Sequence, residues 1–271
     1  MTRRIMNARM YAVTPAVEEA WRALLGHVTG AAGVELDYLT YPAPRPLEDL
    51  WTRPDLGCVL MCGYPVALGL APVVPIAAPI PSASWAAGRP VYRSDLIVRE
   101  DAPYARLEDT FGGRAGWTVA HSHSGFNAFR HHLLRYRSAT RRTLYAEMVP
   151  NLVTARAVLD AVRTGRIDVG PLDAYWHGLI ARHEPGLVAG IRVLASTDPA
   201  PMPAFVAAAG APGPDVARLR AAFVAAGTEP WFARFRDRLL IEGFAAADAT
   251  HYDVTLAWDR EARAAGYDYP A

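Results

Sequence analysis

Lysine is absent from this chain of 271 residues, so all 28 of its basic side chains are arginine. That absence excludes a Walker-type phosphate loop, a Schiff-base lysine and a lysine general base. Cysteine is scarce as well. Cys58 and Cys62 stand four apart beside a Gly-Tyr-Pro turn, a spacing that suits neither a C-x-x-C redox pair nor a four-ligand zinc site. They read as two reduced, buried thiols. Excess charge is missing too: 28 basic residues meet 27 acidic ones for a formal net charge of +1. Such a balance offers no long-range field to draw in nucleic acid or an anionic membrane surface. No stretch of about 18 uncharged apolar residues occurs, so no membrane span is predicted. Arg3, Arg4 and Arg9 interrupt the apolar run that a signal peptide would need, and as written the chain is expected in the cytoplasm.

What is present is mostly apolar. Hydrophobic residues make up 52% against 20% charged, the balance of a globular chain long enough for one large domain or two lobes. Ile5 to Val13 has a strand-like pattern, and Thr14-Pro15 followed by Val17, Ala20, Trp21, Leu24, Leu25 and Val28 marks a capped helix with a 3.6-residue stripe. Val34 to Leu39 reads as a strand, Pro46 to Trp51 as a short helix and Gly57 to Met61 as a strand buried on both faces. A Pro-rich run from Ala71 to Pro81 separates these from a strand at Val91 to Val98. Further strands are expected at Trp117 to Ala120, Ile167 to Gly170 and Ile191 to Ala195, with helices from Phe126 to Tyr136, Asn151 to Arg163 and Asp173 to His183, and Pro199, Pro201 and Pro203 stiffen a connection into Phe205 to Ala208. Asp215 to Ala226, Trp231 to Leu240 and His251 to Ala265 are mostly helical in pattern. The alternation predicts an α/β fold of two lobes with a ligand cleft between them: 1–92 with 203–271 in the first, and 93–202 in the second. Tyr92 to Val98 and Pro199 to Pro203 are the expected crossings.

The most informative stretch is His121-Ser122-His123-Ser124-Gly125. A strand that ends in small hydroxyl residues and Gly just before a helix offers backbone N–H groups at the positive end of the helix dipole, which is a recipe for an oxyanion site. An ordinary serine N-cap explains the same residues. A nucleophile elbow is not favoured, because the G-x-S-x-G pattern is missing. His121 and His123 have no third His or carboxylate nearby to complete a metal site. Asp173 follows a short apolar strand and opens a helix, so it reads either as an N-cap or as an acceptor for a protonated ligand at the carboxyl end of a strand. Tyr11, Tyr64, Tyr92 and Trp176 each sit at or just past a strand end, where they either wall a cleft or pack the core and rim. Without lysine, an anion here would be neutralised by oriented dipoles and hydroxyls, with Arg93 or Arg156 as the charged candidates.

Taken in order, Tyr92-Arg93-Ser94-x-Leu-Ile-Val98-Arg99, Leu-Glu-Asp-x-x-Gly-Gly-Arg114, Ser122-His123-Ser124-Gly125, Ala161-Val162-Arg163-Thr164-Gly165-Arg166-Ile167-Asp168-Val169 with Asp173 and Trp176, and Ile191-Arg192-Val193-Leu194 resemble the phosphate/phosphite/phosphonate ABC-transporter substrate-binding family over residues 57 to 208. The resemblance implies a type II periplasmic binding protein fold that holds a phosphorus oxyanion between two α/β lobes. Ser122, His123 and Ser124 would then match a Ser-Thr-Ser-Gly loop that grips the oxyanion, with His123 in place of the middle hydroxyl. Asp173 would match an acid that caps the ligand, and Tyr64 and Tyr92 would fall near contact positions. A Thr-Gly-Ser-His segment of relatives is replaced by Asn151-Leu152-Val153-Thr154-Ala155-Arg156. That departure leaves the ligand open among phosphorus oxyanions, another small anion and a zwitterion.

The function expected on this resemblance is reversible binding of a small anionic or zwitterionic ligand for an ABC permease, with no cofactor, no metal and no catalysis. The family role would place the chain in the periplasm, given a leader. Two rivals remain: a cofactorless enzyme on a small metabolite such as a thiamine-precursor-like compound, and a cytosolic sensor. An activated nucleophile or base would favour the enzyme, and only His123 with Ser122 or Ser124 offers one.

Overall fold

Leu56–Met61 is buried at all 6 of its positions, as a strand covered on both faces must be. The computed structural model, which describes residues 3–270, places it inside a six-stranded sheet. The order is Ile241–Ala246, Val73–Pro81, Ala204–Ala208, Leu56–Met61, Arg4–Asn7 and Leu36–Tyr38. The last three run parallel to one another, and the first three pair antiparallel with their neighbours. Helix Pro15–Ala32 starts where Thr14 Oγ1 accepts the Val17 N–H at 3.2 Å and stops at Gly33, whose φ of 61° is left-handed. Its apolar stripe sets Trp21 edge-on to Phe205, with ring centroids 5.8 Å apart, and Phe205 stacks in turn on Phe223. Cys58 and Cys62 are buried here and form no disulfide.

This sheet belongs to the first of two compact units, Met1–Tyr92 with Pro201–Asp253; the second is Arg93–Ala200 with Val254–Ala271. Unit 2 is built on an antiparallel sheet ordered Ile191–Ser196, Ser94–Arg99, Gly170–Asp173, beside a parallel pair Arg114–Gly116 and Glu147–Val149. Alternation within Ser94–Arg99 separates two cores. Leu96 and Val98 join Phe129, Leu133, Leu144 and Tyr145, whereas Ile97 joins Val158, Leu159, Val162 and Leu172.

Several expected elements are corrected. The Pro-rich run is itself a strand, Val73–Pro81, hydrogen-bonded on both sides. Proline is tolerated there beside register shifts at Phe205/Val206 and Ile241/Gly243 in the neighbouring strands, because a bulge removes the need for one ladder donor. Ile241–Ala246 is a strand in the interval between the helices expected at 231–240 and 251–265; Gly and Ala carry little strand propensity, and pairing with Val73–Pro81 overrides it. The strand before the polar loop is Arg114–Gly116 rather than Trp117 to Ala120. Helix 155–163 begins only after Asn151 and Val153, which adopt left-handed φ of 56° and 65°.

The largest correction concerns the C-terminal segment, expected in the first lobe. Residues 254–271 go with unit 2. Tyr267 is buried in the Phe129–Leu133 core, and Asn127 Nδ2 donates to the Thr255 carbonyl at 2.8 Å.

Candidate functional site

The polar loop folds as a capped helix start. Ser122 has the extended backbone of an N-cap, and its Oγ accepts the Gly125 N–H at 3.0 Å. One turn of π-helix, His123–Asn127, follows and passes into the α-helix Ala128–Leu133. The extra residue of a π-turn widens the coil, a feature concentrated at functional sites. The loop is tied down from two directions within unit 2. Ser94 Oγ donates to the Ser124 carbonyl at 2.8 Å, and the Thr118 N–H donates to the Gly125 carbonyl at 3.2 Å. The Thr118 carbonyl accepts the Val153 N–H at 3.4 Å, joining the left-handed 151–153 turn to the same place.

Gly125 is required there. A Cβ built on it would stand 2.0 Å from Thr118 Oγ1, so no other residue lets the chain pass Thr118 this closely. The result is a helix start with small residues and amides at the positive end of the dipole, a geometry that can hold an anion without a formal cation.

His123 is packed inside unit 2. Its ring is buried, stacks on Trp258 with centroids 5.2 Å apart, and meets Asn127 Nδ2 through Nδ1 at 3.3 Å. Burial pushes the imidazole down to about 3, with His131 adding in the same direction, so the ring is neutral at pH 7. It therefore supplies the loop with packing rather than positive charge.

Asp173 lies opposite Ser94 in the ladder between Gly170–Asp173 and Ser94–Arg99. Its Oδ1 caps helix Ala174–His183, accepting the N–H groups of Tyr175 at 2.9 Å and Trp176 at 3.0 Å. The ladder thus brings Ser94, Ser124 and Asp173 to one end of unit 2's sheet. Arg93 holds its Nε 3.6 Å from Asp95. Asp95 also receives Ser196 Oγ at 3.0 Å and pairs with His177 Nδ1 at 2.9 Å. Arg156 is placed apart from the loop's bonds, on an exposed helix face where its Nε reaches Asp160 at 3.2 Å. Trp176 is half-buried against the Ile97–Leu172 core.

The three tyrosines belong to unit 1. Tyr11 ends the turn after Arg4–Asn7, Tyr64 lies in the short helix after Leu56–Met61, and these parallel neighbours end at the same sheet edge. Tyr92 Oη lies 3.7 Å from Cys62 Sγ, at that edge too. All three side chains are buried.

Sequence reasoning passed over Ser94, Thr118 and Trp258. Ser94 stood inside the quoted Tyr92-Arg93-Ser94 run, where its small size at a strand start was the one available signal; Trp258 gave none. Among the described residues no three His, Cys, Asp or Glu side chains come together to hold a metal ion.

The family model of periplasmic substrate-binding proteins of phosphonate ABC transporters matches residues 12–252. No curated protein sequence matches. Among solved structures, a binding protein component of an ABC phosphonate transporter from Pseudomonas aeruginosa aligns with a TM-score of 0.79 at 14% identity, over 98% of this chain and 88% of that one. PhnD1 from Prochlorococcus marinus in complex with methylphosphonate aligns at 0.78 and 12% identity, over 96% and 98%. A Xanthomonas citri protein bound to chloride aligns at 0.69 and 20% identity, over 97% and 98%, and the same protein has been solved with ATP. At these identities the likeness is one of fold, the mixed α/β fold of periplasmic binding proteins.

Proposed function

The chain belongs to the periplasmic substrate-binding family of phosphonate ABC transporters, and from that premise we propose that it binds a small phosphate- or phosphonate-like oxyanion and passes it unchanged to an ABC-type permease. The observation that carries this reading is the loop itself: a helix start tied by Ser122, Ser94 and Thr118, with Gly125 pressed so close to Thr118 that no Cβ fits there. Methylphosphonate, chloride and ATP, seen with structures of the same fold, are all anionic.

On this proposal the amides at 123 and 124, between those that Val119 and Ser122 hold, take the ligand's negative end, and Ser122 and Ser124 flank it. Asp173 accepts a hydrogen bond from a protonated ligand oxygen while keeping the helix cap, which favours the singly ionised form over the fully ionised one. Arg93 contributes long-range attraction that Asp95 tempers. Binding without chemistry is supported by how the groups that could act as base or nucleophile are engaged. His123 is neutral and stacked in the core, and Ser122 Oγ holds the Gly125 amide. The family is periplasmic, and among the described residues no helix is long and apolar enough to cross a membrane.

Calorimetric titration with phosphate, phosphite, methylphosphonate, sulfate and ATP tests the proposal, backed by thermal shift. A ligand at 100 times its Kd should raise stability by about 2.7 kcal/mol. Asp173→Asn should bind the fully ionised ligand relatively better than the parent does. Silence of the parent toward every phosphorus oxyanion would overturn the ligand class, and turnover of any of them would overturn the non-enzymatic role.

A further inference from the structure

The helix that leaves the anion loop is fastened along its length to the C-terminal helix Asp253–Ala264. At its first turn His123 stacks on Trp258, centroids 5.2 Å apart and planes 28° apart. At the end of the π-turn Asn127 donates to the Thr255 carbonyl at 2.8 Å while facing His123 Nδ1 at 3.3 Å. Arg130 is fully buried; it donates to Asn127 Oδ1 and to the Asp268 carbonyl, both at 2.9 Å, and pairs with Asp259. His131 stacks on Trp258 as well, centroids 4.6 Å apart and planes 1° apart, and its Nε2 lies 2.8 Å from Glu261 Oε2. The C-terminal helix enters unit 2 at Val254, so this column meets the chain just after it leaves unit 1.

A loop that binds through backbone amides gains from them only if they are aimed in advance, because aligning them on binding would cost ordering free energy. Three of the ties that aim this loop are local to the site, the Ser122 cap, the Ser94 bond and the Thr118 bond. A fourth reaches through the side chain of a loop residue, His123, to an aromatic ring on a different element. We propose that the C-terminal helix is the positioning element of the anion loop, acting through the stack of Trp258 on His123 and the Asn127–Thr255 bond. The proposal rests on the anion-binding reading and deepens it. Trp258 touches no ligand; it sets the direction of the amides that do. Coupling of this kind is reciprocal, so an anion on the loop tightens the docking of the C-terminal helix.

The test uses the full chain and two probes, inorganic phosphate and methylphosphonate, titrated into the parent, Trp258→Ala and Trp258→Phe. Leu107→Ala, a truncation in the unit 2 core away from the stack, is the control for lost stability. Trp258→Ala should weaken binding about tenfold, within the usual range of coupling between sites, whereas Trp258→Phe, which keeps a ring to stack, should stay within about threefold. The Leu107→Ala control should keep the parent's affinity at a comparable loss of melting temperature. In the parent, saturating phosphate should slow hydrogen exchange of amides 254–264. Equal affinity in parent and Trp258→Ala, or an equal loss in Leu107→Ala, overturns the proposal. If the parent binds neither probe, the anion reading fails by itself, and exchange in the ligand-free protein decides the positioning role. Trp258→Ala must then speed exchange at 123–126 more than at 94–99, and a uniform or absent change overturns it. Trp258→Leu, which keeps volume without a ring to stack, replaces the alanine variant should that one fail to fold.

Discussion

Thr118 Oγ1 lies so close to Gly125 that a Cβ built on the glycine would stand 2.0 Å from it. The same two residues share a main-chain hydrogen bond, Thr118 N–H to Gly125 carbonyl, at 3.2 Å. Gly125→Ala is therefore expected to destabilise the protein by about 1 to 3 kcal/mol through overpacking and to weaken anion binding. Adding Thr118→Ala should recover part of the loss, because it removes Oγ1 and Cγ2 but leaves a Cβ contact at 2.9 Å. Urea unfolding and calorimetry on the single and double variants measure both effects.

Ser94→Ala takes the donor away from the Ser124 carbonyl while leaving the main-chain bonds of Ser94 with Thr197 in place. A loss of about 1 kcal/mol is expected, together with weaker binding of whichever anion the parent takes. Unchanged affinity in a folded Ser94→Ala protein would show that the loop does not need this tie.

Acid should unfold the protein through two histidines. Burial holds His123 at about 3 and His132 at about 4, whereas in the unfolded chain each takes up a proton near 6.5. Below that pH the unfolded state binds more protons than the native one. Stability is therefore fully present above about pH 6.5 and falls as the pH drops toward about 4 and then about 3, by at most about 1.4 kcal/mol per pH unit for each proton. Melting temperatures from pH 8 to pH 4 should be level at first and then decline. His132→Leu should decline less steeply, and parallel curves for parent and variant would contradict the assignment.

Val153 is β-branched, 45% exposed and held at a φ of 65°, where such side chains carry backbone strain. Asparagine tolerates this region better. Val153→Asn is expected to raise stability by roughly 0.5 to 1 kcal/mol, read as a higher melting temperature. A decrease would mean that Val153 packs more than its exposure indicates.

Much of the fold was legible in the chain. The 3.6-residue stripe from Val17 to Val28 and the all-apolar Leu56–Met61 declare a helix and a buried strand by local pattern alone. The capped loop was legible too, because Ser before Gly ahead of an apolar helical run carries its own capping chemistry. The strands at 73–81 and 241–246 were not. Proline and glycine argue against a strand locally, and only pairing with partners distant in sequence makes one.

The sequence by itself determined the absence of lysine chemistry, the near-neutral surface, the α/β alternation and the family motif, all of which depend on residue type and short spacing. Tertiary structure alone decided what His123 does. Whether an imidazole in a polar loop becomes a charged contact or a neutral packing group depends on the dielectric around it. That surrounding is set by Trp258 and the C-terminal helix, which Asn127 reaches through a bond spanning 128 residues of sequence. The same long-range burial, with Tyr267 sunk into the core around Phe129, assigned the C-terminal segment to unit 2. No local pattern encodes such a choice, because it is made by the free energy of surfaces that meet only when the chain is folded.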